Sequence, residues 1–132
     1  MDQLSTRWQA CAPFALSLLR IMAALLLLSF GLWKLFDIPQ APDFPVTSLY
    51  YVAGVIELIG GALLTLGLFT RPVAFILSGE TAVAYFHDHA PQSFFPVVND
   101  GGLAMLFCFT FFYIAFAGGG PLSLDRLLWK TE

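Results

Sequence analysis

Five ionisable residues, Lys34, Glu57, Glu80, His87 and Asp100, stand inside or at the mouths of long apolar runs. An ionisable group in hydrocarbon costs about 2.5–3.5 kcal/mol on insertion scales, so such groups face a bundle interior and mark function. Lys34 supplies one positive charge against Glu57, Glu80 and Asp100, an excess of two carboxylates if all ionise. A low-dielectric site resists that excess and favours shared protons or a bound cation. With an imidazole beside them, these groups suit proton-coupled chemistry, such as holding a quinone head group. Two other uses stay open. The same side chains are a possible metal-ligand set, or they pair with Lys34 and Arg20 only to fix helix register.

His87-Asp88-His89 resembles a metal motif, but alternate residues of a helix point in different directions. Both rings reach one ion only where the helix has already ended, so Asp88 and His89 are expected in a loop and no metal site is expected. The chain contains no H-E-x-x-H, no G-x-S-x-G and no phosphate loop. A nucleophilic hydrolase therefore has little support.

The elements that must position these groups follow from length and hydropathy. A bilayer core needs roughly 20 mostly apolar residues per helix. Four stretches qualify, at 14–36, 48–69, 72–89 and 97–117, and the third is interrupted by Glu80. "DIPQAPDFP", "FTRP" and "HAPQSFFP" separate them, and their prolines cannot continue a helix. Pro72 is expected at the first position of its helix. Arg20 inside the first stretch, with no small-residue cleavage site after it, argues for a retained helix over a signal peptide.

At helical spacing, Arg20, Ala24, Leu27, Gly31 and Lys34 trace one stripe of the first stretch. Glu57 lies among Ala53, Gly54, Gly60 and Gly61, so it should face another helix at close approach. Glu80, Ala84 and His87 share a face of the third. At 1.5 Å per residue, Lys34, His87, Asn99 and Asp100 fall near one end, with Glu57 and Glu80 nearer the middle. The expectation is one outward-opening polar cavity supplied by four helices.

The rest of the chain supports a membrane setting. It has 132 residues, 58% hydrophobic and 11% charged, with mean hydropathy +0.79. A soluble domain has about 25% charged residues, and one this small hides only about two-thirds of its surface. The solvent is expected to be lipid. A net charge of −3, with six scattered Lys and Arg, argues against a nucleic-acid partner. Cys11 and Cys108 form no C-x-x-C pair and read as ordinary apolar residues. Arg7, Arg71, Arg126 and Lys130 fall at one side, which predicts a multi-pass inner-membrane protein with both termini cytoplasmic. Trp33, Tyr50, Tyr51, Phe94 and Phe95 near one boundary, and Trp8 and Trp129 near the other, read as aromatic belts. A stacking role for Trp33 or Tyr51 is the alternative. Gly118, Gly119 and Gly120 should stop the fourth helix. Ser123 should then cap a short amphipathic surface helix carrying Asp125.

"RIMAALLLLSFGLWKLF", "GVIELIGGALLTLGLFTRPVAFIL" and "NDGGLAMLFCFTFFYIAFAGGGPLSLDRLL" together resemble the DoxX family of small four-helix bacterial membrane proteins. The matching motifs are Arg20…Gly31-x-x-Lys34, then Glu57-x-x-Gly60-Gly61…Gly67-x-x-Thr70-Arg71-Pro72, then the glycine turn into Ser123-Leu124-Asp125. One departure concerns the last helix, whose usual Asn-Gly-Gly-Glu opening is here Asn99-Asp100-Gly101-Gly102-Leu103. The resemblance implies links to respiratory and sulfur redox systems, with some members related to thiosulfate:quinone oxidoreductase subunits and others associated with thiol and oxidative-stress defence.

The expected fold is therefore all-α: one integral-membrane four-helix bundle with a short C-terminal surface helix. The expected role is a membrane subunit of a redox system that binds a quinone at Lys34, Glu57, Glu80, His87 and Asp100, with no covalently bound cofactor. A protein partner from a redox complex, or a second copy, would complete it. The rivals are a non-enzymatic scaffold and a small transporter. Four spans with no broken mid-membrane helix make a monomeric transporter the weaker of the two.

Overall fold

The computed structural model describes residues 2–130. Among the described residues the structure is all-helical, in the order α1 (Asp2–Phe36), α2 (Ser48–Leu66), α3 (Thr70–Ala84), a π-helical turn (Tyr85–His89), α4 (Gly102–Ala117) and α5 (Leu124–Trp129). Two helices, α1 and α2, are long and apolar enough to cross a membrane, and α4 is a shorter apolar helix of 16 residues.

Each boundary has a local cause. α1 runs 35 residues through Pro13, about 52 Å at 1.5 Å per residue, so it starts twelve residues before the expected apolar stretch. Its first turns are polar and exposed, which hydropathy alone cannot mark as helix. Thr47 caps α2, its side chain accepting from Tyr50 N at 3.4 Å, and Gly67 ends it in the left-handed conformation. α3 begins at Thr70, not at Pro72. Proline is tolerated at the third position because the first four N–H groups of a helix have no intrahelical acceptor. The α3 backbone continues past Ala84 into the π turn, so Asp88 and His89 are helical residues and not the expected loop. α4 starts at Gly102, five residues after the expected boundary, because 97–101 forms turns around Asn99.

α1 packs closely along α2, and α3 along α4, as two antiparallel pairs that meet chiefly through α2 and α3. Close approach within the first pair rests on glycine. A Cβ on Gly31 would lie 2.6 Å from Leu58 N, and one on Gly61 would lie 3.0 Å from the Leu28 backbone. Small residues permit this contact in lipid, where packing replaces the hydrophobic effect as the driving force. The central core is Ala24, Leu27, Leu64, Ala74, Leu77, Phe107, Phe111 and Ile114. Outside it the chain exposes large apolar side chains along every long helix, including Leu25, Leu26, Val55, Ile59, Ile76, Phe109 and Phe116. That inverted surface suits lipid and not water.

The core separates two polar ends. One carries the connections 37–47 and 90–101 and is called the strap end. The other carries the α2–α3 turn, Gly118–Gly120 and α5, and is called the hairpin end.

Candidate functional site

The α1 stripe is buried as its spacing requires, with Ser17, Arg20, Ala24, Leu27 and Gly31 all facing inward. One turn further, in the last turn of α1, Lys34 reaches α2. Its Nζ donates to Glu57 Oε1 at 2.7 Å, with the two side chains only 15% and 5% exposed. Glu57 gets there because Gly54, Gly60 and Gly61 clear its face of α2. A Cβ on Gly54 would lie 2.9 Å from Lys34 Cβ, and one on Gly60 would lie 2.7 Å from Leu77 of α3. α3 then brings Glu80 beside Glu57, so that the two carboxyls touch and Lys34 acts electrostatically on both.

The wall on the strap side is aromatic. The Lys34 ammonium stands 5.6 Å from the centroid of the Tyr50 ring. Tyr50 packs edge-on against Trp33, Phe44 and Tyr51 at 5.7–6.3 Å. Trp33 Nε1 donates to Gln40 O at 2.8 Å, and Phe44 packs on Trp33 at 5.9 Å. The 37–46 strap is thereby folded back over the group. Of the rings expected in a boundary belt, Trp33, Tyr50 and Tyr51 thus make a packed cluster next to the ion pair.

Tyr50 Oη is buried without a hydrogen-bond partner, and Glu57 Oε2 and Glu80 Oε2 have none beyond what a proton shared between the two carboxyls supplies. Buried polar atoms are paired in the great majority of cases, and each exception calls for an explanation.

The structure brings together Lys34, Glu57 and Glu80, and leaves His87 and Asp100 elsewhere. The π turn changes the helical phase after Ala84, so His87 does not stay in line with Glu80. His87 is exposed, with Nδ1 2.7 Å from Asp88 Oδ1. Asp100 is exposed in a left-handed turn with φ 56°. Three helices, not four, supply the buried group, and it is closed in place of the expected open cavity.

Asn99 does the ordering at the α4 entrance. It is 1% exposed. Its Oδ1 accepts from Gly101 N at 2.8 Å, and its Nδ2 donates to Ser93 O at 2.9 Å and Tyr85 Oη at 3.4 Å. Its carbonyl accepts from His89 Nδ1 at 2.9 Å. An Asn ahead of Gly-Gly is the turn signal that points to it. Tyr50 carried no comparable signal, since an aromatic near a helix start reads as a belt residue.

The hairpin end holds the remaining singled-out residues. Arg20 is fully buried. It donates to the carbonyl of Gly119 through Nη1, and through Nη2 to Leu122 O at 2.7 Å and Thr65 O at 3.5 Å. Ser17 Oγ donates to Gly119 O at 3.0 Å and accepts from Leu122 N at 3.1 Å. Gly118 ends α4, and Gly120 at φ 77° packs so tightly on α1 that a Cβ would lie 2.3 Å from Ser17 Oγ. Ser123 caps α5 by accepting from Arg126 N at 3.3 Å. Asp125, buried, accepts from Phe69 N and Thr70 N at 2.8 Å each, capping α3 from outside its own segment. Arg71 donates to the Phe116 carbonyl and to Ala115 O at 3.4 Å, tying α3 to α4.

A family model described as DoxX matches residues 15–90, which contain all of the Lys34–Glu57–Glu80 group. An uncharacterized protein of Haemophilus influenzae (strain ATCC 51907 / DSM 11121 / KW20 / Rd) is 41% identical over 128 residues, covering 89% of this chain and 93% of its own length. No solved structure matches.

Proposed function

The chain belongs to the DoxX family, and from that premise and its buried charged group we propose a membrane subunit of a redox system that binds a quinone head group at Lys34, Glu57 and Glu80. The observation behind this reading is the buried cluster itself: the Tyr50 hydroxyl has no hydrogen-bond partner, and the Glu57 and Glu80 carboxyls, which meet only each other and Lys34, keep acceptor capacity beyond those contacts. They lie by an ammonium that donates to Glu57 Oε1 and has three protons to donate. A ring bearing carbonyl or hydroxyl oxygens fits that donor set, because it can accept from Lys34 and donate to or accept from the carboxyls. When bound, a quinone supplies the capacity to take up electrons and protons.

The chain's own residues do the rest. Lys34 holds a ligand oxygen by a charge-assisted hydrogen bond. Glu57 fixes the ammonium in place through its Oε1. Glu80, in contact with Glu57, holds or releases the proton that two touching carboxyls need between them. His87 and Asp100 lie at the same end but are exposed and outside the buried group. The partner protein supplies the electron carrier. The full reading is a four-span bundle in the inner membrane, with α3 and its π turn crossing as one rod and both termini in the cytoplasm. Arg7, Arg71, Arg126 and Lys130 all fall at the hairpin end or on the arm leading to it, which supports that orientation.

A second reading has its own support. α1 and α2 touch so closely at Gly31, Gly54 and Gly61 that Lys34–Glu57 could serve solely as a register lock in a scaffold protein. The two readings separate on one measurement. Lys34→Ala and Glu80→Ala are purified in detergent, checked for intact fold, and titrated with a short-chain ubiquinone by calorimetry. A loss of affinity of tenfold or more in both variants is expected. Unchanged binding in both sinks the quinone site.

A further inference from the structure

Tyr50 belongs to none of the three motifs of the sequence and to no expected site, yet its hydroxyl is the least explained atom of the strap end. The ring is fully engaged, with edge contacts to Trp33, Phe44 and Tyr51 and the Lys34 ammonium 5.6 Å from its centroid. The hydroxyl is buried and pairs with nothing. A phenol placed for packing alone gains from its ring and loses from a stranded O–H, so phenylalanine would serve better there. Tyrosine hydroxyls that are buried usually find a partner.

The surroundings point the same way. Tyr50 stands in the first turn of α2, two helical turns before Glu57, whose carboxylate acts electrostatically on the hydroxyl. Glu57 itself is 4% exposed. The strap sets Phe44 edge-on against the same ring at 5.9 Å. A buried donor on a ring that the Lys34 ammonium approaches, within electrostatic reach of Glu57, is therefore left without a partner.

We propose that Tyr50 is a further ligand-contact residue of the Lys34–Glu57–Glu80 site, donating its hydroxyl to an oxygen of the bound molecule. This rests on the ligand site proposed above, and it adds a neutral donor to the charged one. Two donors from one side, Lys34 and Tyr50, select a ligand with two acceptor oxygens or one oxygen able to accept twice. An oxidised quinone meets that demand better than a ligand with a single donor group.

The test is Tyr50→Phe, which keeps every ring contact and removes only the hydroxyl. Melting temperature in detergent and affinity for a short-chain ubiquinone are measured on wild type and variant, with Tyr51→Phe as the neighbouring control. Expected for Tyr50→Phe are an unchanged or raised melting temperature and an affinity at least tenfold weaker, with Tyr51→Phe like wild type. Wild-type affinity in a folded Tyr50→Phe protein overturns the inference and leaves the quinone site standing. A melting temperature lowered by the substitution also overturns it, because the hydroxyl then has a structural partner. Wild type that binds no ubiquinone overturns the site itself, and this inference with it.

Discussion

At the hairpin end, Arg20 directs its guanidinium at three backbone carbonyls, and Asp125 takes two backbone amides with its two oxygens. At the strap end, Lys34 meets one carboxylate oxygen, the Glu57 and Glu80 carboxyls meet each other, and the buried Tyr50 hydroxyl has no partner. Both ends bury charge in an apolar chain, but they satisfy it differently. The Arg20 end also leaves two atoms unpartnered, Arg20 Nε and Thr70 Oγ1. There, however, a Cβ on Gly119 would already lie 2.9 Å from Thr70 Oγ1 and 3.0 Å from Arg20 Nη1, so nothing more fits. A group whose hydrogen bonds close on the chain's own backbone holds the fold together. A buried hydroxyl with no partner calls for a different account, and a bound ligand is the one proposed here.

If that division is right, the largest effect on folding comes from Arg20. Arg20→Ala removes the donors to Leu122 O and Thr65 O and leaves Ser17 as the side chain tying α1 to Gly119 and Leu122. Breaking a buried charged network by removing one member costs about 3–5 kcal/mol, and most of that is expected here. The measurement is the recovery of monodisperse protein and its melting temperature in detergent. Arg20→Lys should rescue little, since an ammonium cannot reproduce the planar fork that serves several carbonyls at once. A well-folded Arg20→Ala protein would abolish the contrast between the two ends.

Asp125 should come next. It caps α3 across the α2–α3 turn, where Phe69 stands in the left-handed region at φ 52° and offers no side-chain cap of its own. Asp125→Ala leaves two amide donors at the start of α3 without their acceptor, while α5 keeps its Asp125 N to Gly67 O bond and the Trp129–Phe69 contact. Loss of a cap costs about 0.5–2 kcal/mol, and the upper part of that range is expected because the acceptor is charged and buried. Chemical denaturation in mixed micelles reads the difference. Asp125→Asn should recover part of it, keeping one acceptor oxygen for Phe69 N or Thr70 N.

Much of the hairpin end was legible in the sequence, and much of the strap end was not. Arg20 lies on the same 3.6-residue stripe as Ala24, Leu27 and Gly31, so periodicity alone buries it. The triple glycine followed by Ser123 marks a stop and a cap, and both are present. That Asp125 caps α3 could not be read locally, because its partners lie 55 and 56 residues away. At the strap end, Lys34 and Glu57 were legible from the small residues that clear a path between them. His87 departs from its stripe because a π turn changes the helical phase, and no residue in "YFHDH" announces that turn. Asp100 drew attention by its charge, yet Asn99 beside it makes the contacts, since only the amide can both accept from Gly101 N and donate to Ser93 O. Helix periodicity places side chains within regular elements, and it loses them where the period changes or where a turn is held by a distant partner.

The smallest effect on folding is expected at the pair that looks most like a structural salt bridge. Lys34→Met together with Glu57→Gln removes both charges and keeps the approximate shape. Replacing a buried ion pair by neutral groups of similar volume is often neutral or stabilising, and the close contacts at Gly31 and Gly61 that hold α1 to α2 are untouched. The amide introduced at position 57 can donate to the Glu80 carboxyl, which offsets the lost ammonium. Stability within about 1 kcal/mol of wild type is therefore expected by denaturation, with ubiquinone affinity lost. A double variant as unstable as Arg20→Ala would give the strap end the same work as the hairpin end. The ion pair would then be the register lock of a scaffold, and the unpartnered Tyr50 hydroxyl would need another account.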